Sequence, residues 1–262
     1  MKKITQNAME YRAFYSNEVD EDTISDFIHV HTNVFGNESM NVNVFKRKYI
    51  HNIYGNSIIV VVYENNNAIA ARAFWRNDIN HKKAYQPADT CVKKEYRGKG
   101  IFIEMTKIAL EMIDQNDIIY NFPNKESYRQ YIKLGWKDIA CLYPKLYLSY
   151  KEFMREHQYV IDDDYLQWWV IPKEDSVFKY KKIRNERYLL LKEIKKMNIS
   201  MYKVIGEVNR EMTKHFERAK NSKLKIYYAS KKNLYSNIFA PYKVLGFNVT
   251  NINIPLFKID AL

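Results

Sequence analysis

The tightest constraint in this chain is a basic glycine turn, Arg97-Gly98-Lys99-Gly100, set between a strand-like run and a helical one. Two glycines in four residues let the backbone adopt conformations a side chain forbids, and let a ligand come close. Ile101 to Ile113 follows with apolar residues at helical spacing: Ile101, Ile103, Met105, Ile108, Ala109 and Met112. A glycine turn feeding a helix leaves free N–H groups at its N-terminus, where the helix dipole also favours negative charge. Arg97 and Lys99 add positive charge at the same place. Alone, the turn says only that a phosphate could bind, because an ordinary strand–helix–strand unit can carry the same short pattern.

A second spaced pattern lies one helix and one strand further on: Asn124, Ser127, Tyr131, Lys133, Gly135 and Trp136. Together the two stretches resemble the coenzyme-binding motifs of the GNAT superfamily of N-acetyltransferases. The family's pyrophosphate pattern is Gln/Arg-x-x-Gly-x-Gly/Ala, and Arg97, Gly100 and Phe102 fall on its three marked positions. Phe102 departs from the small residue usual there and asks for a wider gap between helix and sheet. The family's second pattern is Asn-x-x-Ala/Ser, a Tyr four residues on, then x-Lys-x-Gly-Phe. This chain keeps every spacing, with Trp136 in place of the final Phe.

The resemblance implies an α/β fold, classed α+β in some schemes, with a mixed central sheet flanked by helices. It implies that the strands Tyr85–Val92 and Ile118–Phe122 splay apart to admit a pantetheine arm. An unpaired strand edge is otherwise a liability, which gives a ligand acting as a pseudo-strand its physical rationale. The implied reaction is direct transfer of acetyl from acetyl-CoA to a primary amine. Arg97, Gly98, Lys99, Gly100, Ile101 and Phe102 would surround the pyrophosphate. A backbone N–H at or near Cys91 or Val92 would polarise the thioester carbonyl. Asn124 and Ser127 would meet the pantetheine or anchor the loop. Tyr131 stands at the family's general-acid position, and a phenol suits that role because its pKa lies not far above a thiol's. Asp89, three residues before Val92, is the candidate base for the amine's proton, though a strand-end Asp is as readily a satisfied structural group. His31 falls on a helix bordering the acceptor side, where a lone His is more often structural. Cys91 has no His placed by motif to activate it as a nucleophile.

The 262 residues are enough for one large domain or two small ones, and 47% hydrophobic content marks a globular chain. No apolar run reaches membrane-span length. MKKITQNAMEYRAFYSNEVDED has two lysines but no apolar core behind them, so it does not read as a signal peptide. Cys91 and Cys141 are the only cysteines, which suggests reduced thiols in a cytoplasm, and no Cys/His cluster has metal spacing. The net charge of +12 permits an anionic partner, but the lysines are scattered.

The segments read as a strand at Tyr11–Tyr15, a helix capped by Asp22 or Thr23, a helix from Met40 to His51, and a buried strand at Ser57–Tyr63. A hairpin partner at Ala68–Trp75 and a strand at Tyr85–Val92 follow. Residues 1–150 thus form the acetyltransferase domain and 151–262 a degenerate copy. "YLQWWVIPKEDSVFKYKKI" echoes "FKRKYIHNIYGNSIIVVVY", and Tyr242-Lys-Val-Leu-Gly-Phe247 repeats the ending Tyr131-Ile-Lys-Leu-Gly-Trp136. Strands are expected at Phe178–Ile183, Tyr188–Ile194, Tyr202–Val208 and Leu224–Ser230, with a helix near Glu211–Ala219. Tandem chains of this kind resemble acetyltransferases associated with surface polysaccharide, which makes an amino sugar one possible acceptor. A tRNA-dependent aminoacyl transferase is the competing reading, but such tandem proteins lack the coenzyme turn, so nucleic acid is not the expected partner. A non-catalytic coenzyme-binding protein is a third. Oligomeric state, monomer or homodimer, stays open.

Overall fold

The computed structural model describes residues 1–6, 8–36, 40–147, 160–172, 177–183, 186–196, 199–220, 224–229 and 241–249. The boundary expected at residue 150 lies outside them. Compactness divides the chain elsewhere, into Met1–Lys137 with a returning segment from Leu245, and a second unit whose main part is Asp138–Val244.

In the first unit β1 (Lys2–Gln6), β2 (Met9–Tyr15), β3 (Ile58–Glu64), β4 (Asn67–Arg76) and β5 (Ala84–Val92) form an antiparallel meander. β3 is buried from Ile58 to Tyr63, as its unbroken β-branched run requires of a strand covered on both faces. One face packs against α3 (Ile101–Leu110) through Ile58, Val60, Val62 and Phe74 against Ile101, Met105, Ile108 and Ala109. Fewer of the expected inward positions hold on this helix: Ile103 is half-buried, and the helix stops at Leu110 rather than Ile113. α1 (Glu21–Phe35) starts at Asp20, whose carboxylate accepts from the Thr23 N–H at 2.8 Å. The cap thus lies two residues before the expected one, and Ile24, Phe27, Val30 and His31 then face inward at helical spacing. The helix expected from Met40 to His51 is instead one short turn, α2 (Val42–Phe45), running into a five-residue π-turn at Lys46–Ile50. There Phe27, Phe45 and Tyr49 meet edge-to-face with centroids 5.0 to 6.1 Å apart.

After α3 the chain makes β6 (Ile118–Asn121), parallel to β5, and then α4 (Lys125–Lys133). The other edge of β6 is covered by a segment far along the chain: Leu245 and Gly246 pair antiparallel with Asn121 and Tyr120. The Phe247 N–H donates to the Ile119 carbonyl at 3.0 Å, and Phe247 lies against Trp136. The Asn248 carboxamide bonds Ile119 N–H, Gln115 C=O and Asp117 C=O.

The second unit holds β7 (Lys137–Tyr147), a short helix α5 (Asp163–Tyr165) followed by a π-turn at Leu166–Val170, and the meander β8 (Phe178–Lys182), β9 (Tyr188–Lys196), β10 (Ile199–Val208). β11 (Glu217–Arg218) pairs with β8, and β12 (Leu224–Ala229) lies parallel to β10 and antiparallel to β7. The helix expected near Glu211–Ala219 is a 3₁₀ turn, Glu211–His215, leading into β11. Tyr242–Gly246 is strand β13, whereas its supposed counterpart Tyr131–Lys133 is helical. The shared Tyr-x-x-x-Gly-aromatic spelling does not carry a shared conformation. What terminates α4 is a left-handed Gly135, with the Gly135 N–H on Ile132 C=O and the Trp136 N–H on Tyr131 C=O, a Schellman stop closed by Tyr131 against Trp136.

Candidate active site

β5 and β6 touch at only two pairs, Ala84–Ile118 and Tyr85–Ile119. Beyond them the strands part, so the edge of β5 toward Val92 faces a gap. The Lys93 N–H donates to Ile69 C=O at 3.0 Å. In an antiparallel ladder bonded and non-bonded pairs alternate, so Val92, opposite Ala70, turns its N–H and C=O away from β4 and toward the gap. The same alternation turns the Cys91 peptide toward β4. The Cys91 thiol donates to Ala71 C=O at 3.5 Å, and burial pushes its pKa up to about 12. Of the two backbone candidates, Val92 turns its peptide toward the gap and Cys91 toward β4. The buried, protonated thiol is unsuited to act as a nucleophile.

The chain then enters the glycine turn. Gly98 and Gly100 take φ values of 82° and 80°, and a Cβ at either would meet nothing within 4 Å. These glycines are needed for their backbone conformation, over an open and exposed face. Gly100 is the N-cap of α3 and no side chain caps that end, so Ile101 and Phe102 N–H groups face outward as orphan donors. Arg97 is tied back by its Nε–H to Val92 C=O at 3.1 Å, and Lys99 sits over the Tyr96 ring. Free amides at a helix N-terminus and two exposed cations suit a phosphorylated ligand, with Glu104 the acid in the helix's first turn.

Phe102 does not wedge helix from sheet. It lies on the flank of α3, edge-to-face with Tyr131 at 5.3 Å and over the Arg72 guanidinium at 4.5 Å. Asn124 and Ser127 form the cap of α4: the Asn124 Oδ1 accepts from Ser127 N–H at 2.8 Å, and the Ser127 hydroxyl donates to Asn124 C=O at 3.4 Å. Their visible work is to start the helix that carries Tyr131.

Tyr131 is 2% exposed, and its hydroxyl accepts a hydrogen bond from Arg72 Nη2. Burial raises its pKa, while Arg72 and the Asn121 side chain pull it back part of the way. Arg72, on β4, is missing from the expectation above. One polar residue inside an apolar strand run gives no hint of what it will meet across the sheet.

Asp89 lies on a bulge of β5, where Asp89 and Thr90 together face Arg72, and its φ is +46°. A side chain at positive φ stores strain and is worth noting beside a gap. Its carboxylate accepts from Lys48 Nζ at 2.8 Å and from the Tyr49 hydroxyl, and His31 Nε2 stands 3.9 Å away. Burial alone would raise its pKa, but Lys48, Tyr49 and His31 outweigh it and hold the carboxyl below the usual range. Asp89 is therefore ionised and a weak base. Burial lowers the pKa of His31, Asp89 opposes that, and Lys48 adds to it. Sequence reasoning named Asp89 and His31 but not their convergence, and missed Lys48 and Tyr49, which arrive on the π-turn.

Residues 16–139 match the family model for an acetyltransferase (GNAT) domain. That match spans a little under half of the chain, and over it the chain is similar to GNAT acetyltransferase domains. No curated protein matches the chain by sequence. Solved structures alike in fold over most of its length include a GCN5-related N-acetyltransferase from Anabaena variabilis, 12% identical with TM-score 0.56, covering 91% of this chain and 73% of that one. One from Kribbella flavida is 14% identical with TM-score 0.54, over 91% and 71%. A putative acetyltransferase from Pyrococcus horikoshii is 13% identical with TM-score 0.51, over 94% and 90%. Among the described residues no helix is long and apolar enough to cross a membrane.

Proposed function

We propose that the chain is an acetyl-CoA-dependent N-acetyltransferase acting on the primary amine of a small acceptor, with amino sugars the first class to test. The observation that carries this is the gap between β5 and β6 with the uncapped, glycine-led N-terminus of α3 at its mouth. Acetyl-CoA would supply the acetyl group as a thioester. Ile101 and Phe102 N–H groups with Arg97 and Lys99 hold its phosphates. The Val92 peptide lines the arm, and its N–H is placed to polarise a carbonyl. Tyr131 holds the proton that the leaving sulfur needs. Asp89 stays ionised and orients the amine, while neutral His31 beside it supplies the basicity that Asp89 lacks. The second unit is a duplicate of the first that has lost the coenzyme turn, so one coenzyme binds per chain.

Saturating acetyl-CoA raises the melting temperature, because a ligand at about 100 times its Kd stabilises the folded state by about 2.7 kcal/mol. No shift at saturation overturns the reading. An amine screen reading free thiol release then identifies the acceptor.

A further inference from the structure

Arg72 is the most anomalous side chain in the first unit. It is 0% exposed, and no carboxylate among the described residues pairs with it. Its Nη1 donates to the Thr106 hydroxyl at 2.7 Å and, at 3.5 Å, to Phe102 C=O; its Nη2 donates to the Tyr131 hydroxyl; its Nε has no partner. Thr106 is itself oriented by donating to Phe102 C=O at 2.6 Å. The rings of Phe102 and Phe74 stand 4.5 and 5.0 Å from the guanidinium carbon. A cation buried among neutral partners is costly, and apolar replacements of such groups are often neutral or stabilising. Its retention calls for a role that stability does not supply.

That role follows from what the guanidinium touches. We propose that Arg72 is the positioning residue that makes Tyr131 a usable proton donor: it holds the phenol oxygen and takes up the charge that oxygen acquires when its proton leaves. When the Tyr131 O–H bond breaks, an S–H bond forms on the leaving sulfur and the phenolate pairs with the guanidinium. The proton released by the acetylated nitrogen restores the phenol through solvent, so charge and protons balance over the cycle. The neutral shell explains why no carboxylate is present: a resident anion would already have satisfied the cation and left nothing for the phenolate. It also explains Phe102, since an aromatic face there steadies the cation where a small residue would leave a void. This inference rests on the acetyltransferase reading.

The test compares Arg72→Met, Arg72→Lys and Tyr131→Phe, and Arg72→Met combined with Tyr131→Phe. In unliganded protein labelled with ¹³C at tyrosine Cζ, the Tyr131 resonance, assigned by its loss in Tyr131→Phe, is titrated with pH. Arg72→Met should move its midpoint up by roughly one unit or more. In turnover, Arg72→Met should lower kcat by roughly 10- to 100-fold, leave KM for acetyl-CoA nearly unchanged and shift the alkaline limb of the kcat profile upward, while Tm stays at or above that of the wild type. Arg72→Lys keeps the charge but loses the fork and should fall between. In the Tyr131→Phe background Arg72→Met should have little further effect. An unmoved Tyr131 midpoint, a kcat loss that persists in full in that background, or unfolding of both Arg72 variants overturns the proposal. Full turnover in Tyr131→Phe would instead defeat the proton-donor reading itself, and absence of acetyl-CoA stabilisation would defeat the coenzyme reading.

Discussion

β3, β4 and β5 run antiparallel and a crossover brings β6 back parallel to β5; in the second unit β8, β9, β10 and β12 follow the same order with the same polarities. Each meander is preceded by a short helix that runs into a five-residue π-turn, Lys46–Ile50 in one and Leu166–Val170 in the other. Even the irregularity recurs, for β5 bulges at Asp89 and Thr90 and β10 bulges between Val204 and Gly206. What differs is what surrounds the bulge. Across from the first stands the buried Arg72, and the bulge's own Asp89, partly exposed, is paired with the buried Lys48; across from the second stand Leu189, Leu190 and Leu191, all 0% exposed. After β5 come two glycines and a helix; after β10 comes a 3₁₀ turn. The backbone plan therefore tolerates either leucines or a cation across the bulge. The charged one costs desolvation free energy, so it belongs with chemistry rather than with stability.

The contrast can be broken or sharpened by exchange. The largest effect is expected from Leu190→Arg, which buries a cation with no hydroxyl shell built for it; about 3–5 kcal/mol of stability should be lost, read by denaturant unfolding. A mild loss would mean that the two linings are interchangeable. Next, Tyr131→Phe should lower kcat on the order of 100-fold with acetyl-CoA stabilisation retained. Gly100→Ala and Gly135→Ala form a matched pair. Each forces a side chain to a φ near +80° and should cost about 1 kcal/mol of stability. Only Gly100→Ala should also weaken acetyl-CoA binding, because Gly135 does no more than stop a helix. Equal coenzyme affinity in both would remove the turn from the site.

The smallest effect is a pH dependence. His31 has a folded pKa below its ordinary value of 6.5. Below that value the unfolded chain takes up a proton that the folded one does not, so stability present above pH 6.5 declines as pH falls. Tm should drop between pH 7.5 and 5.5, and His31→Gln should flatten the slope. An identical slope in that variant would show that His31 does not titrate against folding.

Local features were legible in the chain. The glycine turn and the β-branched run of β3 are each decided within a few residues, by φ and by burial on both faces, whereas Asn124, expected at the pantetheine or the loop, is seen capping α4. Convergence was not. Arg72, Thr106 and Tyr131 lie on a strand and two helices, and Lys48, Asp89 and His31 on three further elements. No short-range pattern records such meetings. The Tyr242–Phe247 stretch shows the opposite failure: it spells the helix ending at Tyr131 but forms a strand, because pairing with β6 overrides its local signal. Trp136 also has a plainer role than its motif implies, since it closes the Schellman stop.

The return of Leu245 to β6 sets an order of events during synthesis. β6 holds β5 by only two residue pairs, and its other edge waits for Leu245 and Gly246. A ribosome has therefore also made the whole stretch from residue 138 to 244 before the first unit can close its sheet. Until then β6 presents an open edge, which is a hazard for association between nascent chains. Stopping the chain at Lys137 should give a fragment that keeps its glycine turn yet aggregates. Supplying residues 241–249 as a peptide should protect it, with light scattering as the readout.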